Sequence, residues 1–559
     1  MKRQKLILIL AVSLVFSIFV TACGNGNNGK EEGTAGKTAE QELKALELQS
    51  IPSMDSVMAQ DTVSFTTMNN VMEGLYRLDP DQNVVEGMAE GEPEVSKDGT
   101  VYTFKIRDAK WSNGDPVTAN DFVYAWQRAI DPKIASPYGP YMMDGKIKGA
   151  AEISAAGANK TAYDVSSLGV KAVDDKTLQV TLERPIPYFK SLMAFPTFYP
   201  QNKKFVGEQG GDYGKTADNL VFNGPFVLSD WKGSTAAEWT YSKNKDYWDA
   251  DTVKLEKVQW NVLKDPQAAA NALETGEADI TPKLSSDIVP QYEDDKRLVK
   301  WLEPTVFWLK MNQKNNKALQ NTDIRKAVAQ AINKKDFVDS ILNNGSIVAN
   351  YAVPREFVKN EETGKDFREI NGDKLLPYNV DNAKKAWDKG LAAIGTETVE
   401  LRYLTDDTEN AKKTAEYIKN QLETNLPGLT LKVESVPFSV RIDRENSQDY
   451  DLQMAGWGPD YLDPMTFSDL WLTGGGNNKM NYSNSKYDQL VKDAQTTLAQ
   501  KPVERYEALA KAEKILLEED AAIAPIYQRS SNLLISEKVE NFTHHLVGPE
   551  YSYKWTSVK

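Results

Sequence analysis

The stretch YTFKIRDAKWSNGDPVTANDFVYAWQR, residues 102–128, predicts a strand, a turn and a helix in direct succession. Its first residues alternate between apolar and polar side chains, which is the period-two pattern of a strand with one buried face. The apolar positions are Tyr102, Phe104 and Ile106. The segment SNGDP at 112–116 then ends the alternation and predicts a turn.

A helix is predicted directly after this turn. Thr118 is a preferred residue at a helix start, and Asp121 three residues later completes a capping pattern. Phe122, Trp126 and Ile130 follow at intervals of four residues and therefore lie on one helical face. The chain therefore mixes strands and helices at short range.

Other segments repeat this mixture. Residues 170–173 and 178–182 flank a polar turn and predict a β-hairpin. Residues 399–404 and 429–436 predict two strands on either side of a helix, a β-α-β unit. The inward-facing residues of that helix are Ala415, Ile418 and Leu422. Because no repeat of fixed period occurs, the sequence predicts an α/β protein with more than one lobe.

The composition excludes some classes of protein. The chain has 559 residues, with 66 Lys and Arg against 80 Asp and Glu, which gives a net charge of −14. Phosphate backbones and anionic lipid surfaces repel such an acidic chain, so we expect no nucleic-acid partner. The length is too great for one hydrophobic core and predicts two or three domains. No segment after residue 45 is apolar enough to cross a membrane.

The N-terminus has the pattern of an export signal. Three basic residues precede an apolar run over residues 6–20. This run is shorter than the roughly 20 residues that a membrane-spanning helix needs. The sequence VTAC at 20–23 resembles the bacterial lipobox, in which a signal peptidase cuts before the cysteine. Residues 1–22 are therefore predicted to be a lipoprotein signal peptide.

Cys23 is the only cysteine in the chain and has no disulfide partner. In a lipoprotein it becomes the first mature residue and carries a diacylglycerol, whose two acyl chains anchor a protein durably. The alternative is a core cysteine that happens to follow a signal peptide. Residues 23–46 are poor in apolar side chains and are predicted to form a flexible tether. The folded body is then expected at the extracytoplasmic face of the cell membrane.

The motifs of common enzyme chemistries are missing from the sequence. Neither H-E-x-x-H, G-x-S-x-G nor a phosphate loop of the G-x-x-x-x-G-K-S/T type occurs. The only histidines, His544 and His545, are adjacent and are predicted to be a surface pair rather than metal ligands. We therefore expect a binding protein without a metal or cofactor, and not an enzyme.

Six motifs follow one another along the chain: YTFKIRDAKWSNGDPVTANDFVYAWQR (102–128), SPYGPYM (136–142), KAVDDKTLQVTLERPIPYF (171–189), NGPFVLSDW (223–231), DIRKAVAQAINKKDF (323–337) and AGWGPDYLDP (455–464). Together they resemble the extracytoplasmic peptide-binding subunits of bacterial ABC importers, most closely the oligopeptide-binding branch. The resemblance covers nearly all of the chain after residue 45.

The resemblance implies a periplasmic-binding-protein-like fold of type II, or cluster C. Two main lobes joined by a hinge and one extra domain give three domains in all. Domain I is expected to be discontinuous and to comprise residues 47–72, 194–304 and 531–559. Domain II is expected at 73–193 and domain III at 305–530. Hinge closure of domains I and III on the ligand places the pocket in a cleft between the lobes.

A receptor for many peptide sequences has to bind what all peptides share, namely the main chain and the terminal charges. The resemblance implies two strand edges that pair with the peptide main chain. They are expected at Ala455-Gly456-Trp457-Gly458 and near Gln60-Asp61-Thr62. Glycines in the first edge are expected to let the two backbones approach each other. Taken alone, this glycine motif is equally consistent with a strand that ends in a tight turn.

Asp460 stands where the family has the aspartate that binds the peptide's terminal ammonium. Such a buried pair fixes register more than affinity. The alternative for Asp460 is a solvated turn aspartate, and the nearby Asp463 is not expected to take the role. Tyr138, Tyr141 and Trp457 are candidate pocket walls, because aromatic rings contact varied side chains while excluding water. Tyr141 is equally well interpreted as a core residue.

The chain departs from the family where the peptide carboxylate binds. The positions of the family's basic residues are occupied here by Leu342, Ala411 and Met454. None of these can bind a carboxylate. Either other cations, such as Arg355, Lys412 or Arg444, bind the carboxylate, or the pocket is open at this end and longer peptides extend beyond it. The family's cleft disulfide is also absent.

The resemblance implies the substrate-binding subunit of a peptide ABC importer. It captures extended oligopeptides and delivers them to permease subunits driven by cytoplasmic ATPases, and a monomer is expected. Two other kinds of cargo stay open. One is a specific signalling peptide such as a pheromone, and the other is a non-peptide cargo such as a metal complex or a sugar.

Overall fold

The computed structural model describes residues 40–59, 61–407, 409–436 and 438–559. The predicted signal peptide, Cys23, most of the predicted tether and Gln60 lie outside these residues. Within the described ranges, no helix is both long and apolar enough to cross a membrane.

Strands are spread over the whole described chain and form three larger sheets and three two-stranded ribbons. The strands are β1 (Glu42–Glu47), β2 (Tyr76–Leu78), β3 (Val84–Glu86), β4 (Glu94–Val95), β5 (Val101–Lys105), β6 (Val170–Asp174), β7 (Thr177–Thr181), β8 (Phe226–Ser229), β9 (Glu238–Lys243), β10 (Lys257–Val262), β11 (Leu298–Met311), β12 (Ile347–Val348), β13 (Val399–Asp406), β14 (Leu429–Val436), β15 (Leu452–Trp457), β16 (Ile523–Leu534), β17 (Val539–Glu540), β18 (Thr543–His544), β19 (Tyr551–Ser552) and β20 (Ser557–Val558).

Helices alternate with these strands and pack against the sheets. They are α1 (Thr62–Val71), α2 (Ala119–Ile130), α3 (Gly139–Met143), α4 (Ala150–Ala158), α5 (Phe189–Leu192), α6 (Lys203–Gln209), α7 (Pro266–Glu274), α8 (Lys317–Gln320), α9 (Thr322–Gln330), α10 (Lys334–Asp336), α11 (Arg368–Asn371), α12 (Val380–Ile394), α13 (Glu409–Asn425), α14 (Phe438–Asn446), α15 (Met465–Ser468), α16 (Ser485–Gln495) and α17 (Pro502–Lys514). The mixed α/β class is confirmed.

The first sheet joins the beginning of the described chain to its middle. Its strand order is β1-β10-β9-β8, with β1 parallel to β10. Just before β1, the side chain of Gln41 donates a hydrogen bond to the carbonyl of Val558 at 2.7 Å. The predicted tether of residues 23–46 is therefore wrong over residues 42–46. These residues form a strand because Leu43 and Ala45 are fully buried in the core.

The second sheet contains the elements predicted from residues 102–128. Its order is β4-β5-β7-β6, and the predicted hairpin is confirmed as β6 and β7. At the start of α2, the carboxylate of Asp121 accepts a hydrogen bond from the N–H of Thr118 at 2.9 Å, as the capping pattern predicts. Phe122 and Trp126 on this helix are fully buried.

The third sheet has the order β12-β16-β11-β15-β13-β14. The predicted β-α-β unit is confirmed, since β13 and β14 pair in parallel with α13 between them. Ala415, Ile418 and Leu422 of α13 are fully buried, as their spacing predicts. This sheet carries β15, the strand that precedes the GPD motif at 458–460.

The pairing of the long strands β11 and β16 is divided by two shifts of register. Leu298–Leu302 lies opposite Ser530–Leu534, and Val306–Lys310 lies opposite the first half of β16. The register is interrupted between Leu302 and Val306. The predicted crossing between domains I and III at 304/305 falls within this break, and the one at 530/531 lies next to it. The division into three domains itself stays a prediction.

Candidate functional site

A cavity of about 180 Å³ lies beside the break in the β11–β16 pair. Glu303, Pro304 and Thr305 from the break form part of its wall. Segments that are distant in sequence complete the wall, including the start of α1, the loop before α3, the loop after β15 and the C-terminal segment. The cavity is therefore a product of the tertiary fold and not of one local motif.

Asp460 is half-buried in this wall, three residues after the end of β15. The hydroxyl of Tyr141 donates a hydrogen bond to Oδ2 of Asp460 at 2.5 Å. Burial raises the pKa of Asp460 to about 6, while the Tyr141 hydrogen bond and the charge of Lys146 act in the opposite direction. Its Oδ1 carries no hydrogen bond from any described residue. A carboxylate held out of water in this way is stabilised by a cationic partner.

Asp463 has a different, structural role. Its carboxylate accepts hydrogen bonds from Nη1 and Nη2 of Arg505 at 2.7 and 2.8 Å, and both side chains are buried. Its Oδ1 also accepts a hydrogen bond from the N–H of Met465 at 2.8 Å. The charge of Asp463 is thus neutralised inside the protein, whereas that of Asp460 faces the cavity.

The C-terminal half of β15 has one free edge. On one side, Ala455, Gly456 and Trp457 pair with β11. On the other side, β13 pairs with β15 only as far as Gln453, and no strand in the described part of the chain pairs beyond it. The main-chain groups that point away from β11 are therefore available to an extended ligand.

The two glycines of this segment have different neighbours. A Cβ added at Gly456 would lie 2.7 Å from the ring of Phe307, so this glycine makes room for an aromatic ring. The predicted approach of a ligand backbone at this position stays a prediction. Gly458 lines the cavity, and the nearest atom to an added Cβ there is Oγ1 of Thr305 at 3.1 Å.

The second predicted strand edge, near Gln60, Asp61 and Thr62, is wrong for the residues that the structure describes. Asp61 caps α1, because its Oδ1 accepts a hydrogen bond from the N–H of Ser64 at 2.9 Å. Thr62 is the first residue of that helix and lines the cavity. Gln60 lies outside the described residues. A cap residue followed by a helical run was a signal present in the sequence.

Aromatic rings form one wall of the cavity. Tyr138 stacks on Phe195 with ring centroids 5.6 Å apart and makes edge contacts with Phe65 and Tyr141. Tyr138, Phe65 and Phe195 line the cavity. Tyr141 is 36 % exposed, so it is not a core residue.

The side chain of Trp457 is held by a hydrogen bond to a residue nine positions later in the chain. Its indole N–H donates a hydrogen bond to Oγ1 of Thr466 at 3.3 Å, and the residue is half-buried. Its side chain does not belong to the wall of the first cavity as described. Its main chain lies on the free edge of β15.

The two histidines do not form a surface pair. His545 is only 5 % exposed, and both residues line the cavity. Burial lowers the pKa of His544 to about 4 and that of His545 to about 3. Adjacency near the C-terminus gives no hint of this placement, because the burial comes from tertiary packing. Within the described ranges, no group of three or more potential metal ligands occurs.

Three residues of the cavity wall, Glu303, Arg529 and Glu550, belong to a network of charged side chains. Lys283 donates hydrogen bonds to Glu303 at 3.1 Å and to Glu550. Nε of Arg529 donates to Glu303 at 2.6 Å. Burial raises the pKa of Glu303, but Lys283 and Arg529 outweigh it and bring the pKa to about 2. No sequence motif indicated this network, because its members come from four separate segments.

A second cavity of about 330 Å³ shares Arg529 with the first. Leu342, Ala411 and Met454, the positions where the resemblance implies basic residues in the family, all line it. Phe307 and Tyr527 form a parallel stack in its wall, with centroids 4.7 Å apart. The cavity wall thus contains apolar side chains, and it includes Met454, where the free edge of β15 begins.

The cations expected to replace the missing basic residues lie elsewhere. Arg355, Lys412 and Arg444 do not belong to the described wall of the second cavity. Arg355 pairs with Asp373, and Arg444 pairs with Glu434 and Asp449. The cations of this wall are Lys413, Arg441 and Arg529.

Comparison with known proteins identifies the family. The family model described as "Bacterial extracellular solute-binding proteins, family 5 Middle" matches residues 83–479, which is more than half of the chain. A dipeptide-binding protein from Lactococcus lactis subsp. cremoris is 32 % identical over all of both chains.

Two solved structures extend the similarity to the fold. Listeria monocytogenes OppA bound to peptide is 44 % identical, with a TM-score of 0.77 over 93 % of this chain and 100 % of that one. The pheromone receptor PrgZ is 36 % identical, with a TM-score of 0.78 over 93 % of this chain and 100 % of that one. The chain therefore belongs to the bacterial extracellular solute-binding proteins of family 5, which are binding proteins and not enzymes.

Proposed function

We propose that this protein is the substrate-binding subunit of a peptide ABC importer and that it captures oligopeptides in an extended conformation. The observation that carries the proposal is the half-buried Asp460 next to the free edge of β15. A peptide combines a terminal ammonium with a main chain that pairs with a strand edge. The similarity to a peptide-bound OppA structure supports this assignment.

The peptide lies along β15, with its ammonium at Asp460 and its main chain beside Ala455–Trp457. Each main-chain hydrogen bond contributes about 0.5–1.5 kcal/mol and requires no particular side chain, which suits a receptor for varied sequences. Met454, three residues before Trp457, lies roughly 10 Å further along the strand. Because Met454 lines the second cavity, a longer peptide continues into that cavity.

The second cavity receives the later residues of the peptide without a dedicated ion pair for its carboxylate. Among the cations of its wall, Arg441 pairs with Asp406 at 2.8 Å and Arg529 pairs with Glu303. The apolar positions Leu342 and Met454 add no charge. Peptides of several lengths are therefore expected to bind, which is the second of the two alternatives that the sequence left open.

A specific signalling peptide is the second candidate cargo, and the similarity to the pheromone receptor PrgZ favours it. It uses the same chemistry and differs only in selectivity. A metal complex or a sugar fits the site less well, because neither one supplies the ammonium that the half-buried Asp460 requires.

We also propose how the subunit is held at the cell surface. Cys23 carries a lipid anchor, and the residues between it and β1 form the tether. The monomeric body then delivers its peptide to permease subunits whose ATPases lie in the cytoplasm. Support for this part comes from the N-terminal sequence pattern.

Native mass spectrometry of protein purified without refolding tests the proposed cargo, because a buried ligand is retained during purification. We expect a ladder of bound peptides, and calorimetry with synthetic peptides of increasing length should give saturable binding. A purified protein that retains a sugar or a metal complex and binds no peptide would refute the assignment. A single retained peptide sequence would instead favour the signalling cargo.

A further inference from the structure

The wall of the second cavity includes side chains from one face of the third sheet. Phe307 of β11 pairs with Gly456 of β15 on one side and with Tyr527 of β16 on the other. Residues paired across neighbouring strands point to the same face, and so do residues two positions apart on one strand. Met454 therefore shares this face with Phe307 and Tyr527, and all three side chains line the cavity.

The apolar side chains of this wall are accessible from the cavity. Phe307, Tyr527 and Met454 are each half-buried, and so are Ile341 and Leu342 in the segment that follows α10. The cavity volume is about 330 Å³. Covering exposed apolar surface of this kind with an apolar ligand group is favourable, because it removes both surfaces from water.

The ring of Phe307 is open toward the free edge of β15. Tyr527 stacks on this ring with centroids 4.7 Å apart and planes within 3° of parallel. On the neighbouring strand, Gly456 has no side chain, and the Phe307 ring occupies the space that a Cβ there would take. No side chain at position 456 thus separates the ring from the free edge. A ligand ring beside Phe307 extends an existing aromatic cluster.

A cation adds to the affinity of this wall for aromatic groups. The guanidinium of Arg529 lies 5.8 Å from the centroid of the Phe307 ring. Guanidinium groups stack on aromatic rings and are attracted by their faces. Arg529 also pairs with Glu303, so it contacts rings without leaving its carboxylate partner.

A peptide that pairs with the free edge of β15 sends every second side chain onto this face. Successive side chains of a strand point to opposite faces of a sheet. Peptide residues opposite Met454 and Gly456 therefore direct their side chains to the face with Phe307, and the residues between them direct theirs to the other face. Selection by the second cavity must then act on alternate positions of the peptide.

We propose that the second cavity selects an aromatic side chain of the bound peptide and that Phe307 determines this selectivity. The inference rests on the proposed function, because it requires a peptide paired with β15. Leu342 and Met454, where the resemblance implies basic residues, supply apolar contacts to the ligand ring. The preferred cargo is thus a peptide with an aromatic residue at a fixed distance from its amino terminus.

A substitution scan of one hexapeptide tests the selectivity on the unmodified protein. Phe, Leu or Ala is placed at each position in turn among alanines, and calorimetry gives the dissociation constants. The terminal ammonium keeps the register constant across the scan. We expect Phe to bind about tenfold or more tightly than Ala at the position that faces the cavity, with Leu between them.

Two variants connect this preference with Phe307. Phe307→Leu removes the ring but keeps an apolar side chain, and Phe307→Tyr is the matched control that keeps the ring. Phe307→Leu should reduce the ratio of Phe to Leu affinity to less than about twofold at that position and leave the ratios at both adjacent positions unchanged. Phe307→Tyr should retain the preference.

Photochemical cross-linking gives a second measurement that needs no variant. Benzoylphenylalanine at the preferred position should cross-link to the wall of the second cavity, including Met454, and at the adjacent positions it should cross-link elsewhere. Peptides in which Phe binds no better than Leu at any position, or cross-links to this wall from consecutive positions, would overturn the inference. Failure of the unmodified protein to bind any of the hexapeptides would refute the proposed function instead.

Discussion

The hydroxyl of Tyr141 lies 2.5 Å from Oδ2 of Asp460, although the two residues are 319 positions apart in the chain. Tyr141 belongs to α3 in predicted domain II, and Asp460 follows β15 in predicted domain III. The hydrogen bond fixes the orientation of the carboxylate and leaves Oδ1 for a ligand. The site is thereby preorganised before the peptide arrives, which reduces the ordering cost of binding.

Asp460→Asn should weaken the binding of free-amine peptides far more than that of their N-acetylated forms. The substitution keeps the shape of the side chain but removes the charge that pairs with the ammonium. Loss of one partner of a desolvated charge pair costs about 2–5 kcal/mol. Calorimetry with both peptides measures the difference, and an equal loss for the two would contradict the assigned role.

Peptide affinity should fall as the pH falls through about 6. Burial raises the pKa of Asp460 to about 6, so its carboxyl is ionised at pH 7.5 and mostly neutral at pH 5. The ammonium pairs with the ionised form only, so the affinity should drop by up to about tenfold per pH unit below that pKa. Dissociation constants measured between pH 8 and pH 5 provide the test.

An N-acetylated peptide is the matched control for this pH dependence, because its terminus carries no charge. Asp469 is the neighbouring group to consider, since burial also raises its pKa to about 6. In Asp460→Asn any remaining pH dependence would come from such neighbours. A profile as steep in this variant as in the unmodified protein would show that Asp460 is not the titrating group.

Asp463→Ala should behave in the opposite way to Asp460→Asn. It leaves Arg505 buried without its bidentate partner, and breaking a buried pair in this manner costs about 3–5 kcal/mol of unfolding free energy. The ratio of affinities for free-amine and acetylated peptides should stay unchanged. Chemical denaturation measures the first effect and calorimetry the second. A changed ratio with unchanged stability would mean that the two aspartates had been assigned the wrong way round.

The sequence predicted best those features that depend on neighbouring residues. The strand and helix of 102–128 were readable because alternation, a turn and a cap determine them locally. The same holds for the β-α-β unit around α13. The distinction between Asp460 and Asp463 came from the family motif, and the structure gives its physical basis in the buried partner Arg505.

Features that depend on long-range contacts could not be predicted from the sequence. The histidine pair lies at positions 544 and 545, and the ring of His544 packs against Trp301 and Tyr551. The extension of β1 to Glu42 depends on a partner strand more than two hundred residues away. From the sequence alone, without knowledge of that partner strand, residues 42–46 were predicted to belong to the flexible tether.

Cys23→Ser should release the protein from membranes and leave its peptide affinity unchanged. The thiol is the attachment point in the lipobox interpretation, and a hydroxyl does not accept the diacylglycerol. Cell fractionation followed by calorimetry on the released protein tests both parts. If the variant stays with the membrane fraction, the anchor is not at this residue.

Leu342→Lys should change which peptides the protein prefers. The position lines the second cavity together with the stacked rings of Phe307 and Tyr527, and the resemblance implies a basic residue of the family there. In the unmodified protein, amidation of the peptide's C-terminus should change affinity little at any length, because Arg441 and Arg529 in this wall already pair with carboxylates of the protein. The new lysine adds a positive charge at position 342, so one peptide length should gain affinity only when its carboxylate is free.

The measurement is a series of peptides of two to eight residues, each with a free and an amidated C-terminus. Leu342→Met is the matched control, because it changes the shape of the side chain without adding charge. A preference for free carboxylates in the unmodified protein would show that Lys413, Arg441 or Arg529 already binds the peptide's end. The uncharged floor of the second cavity would then serve side-chain contacts alone, and peptide length would be set by those cations.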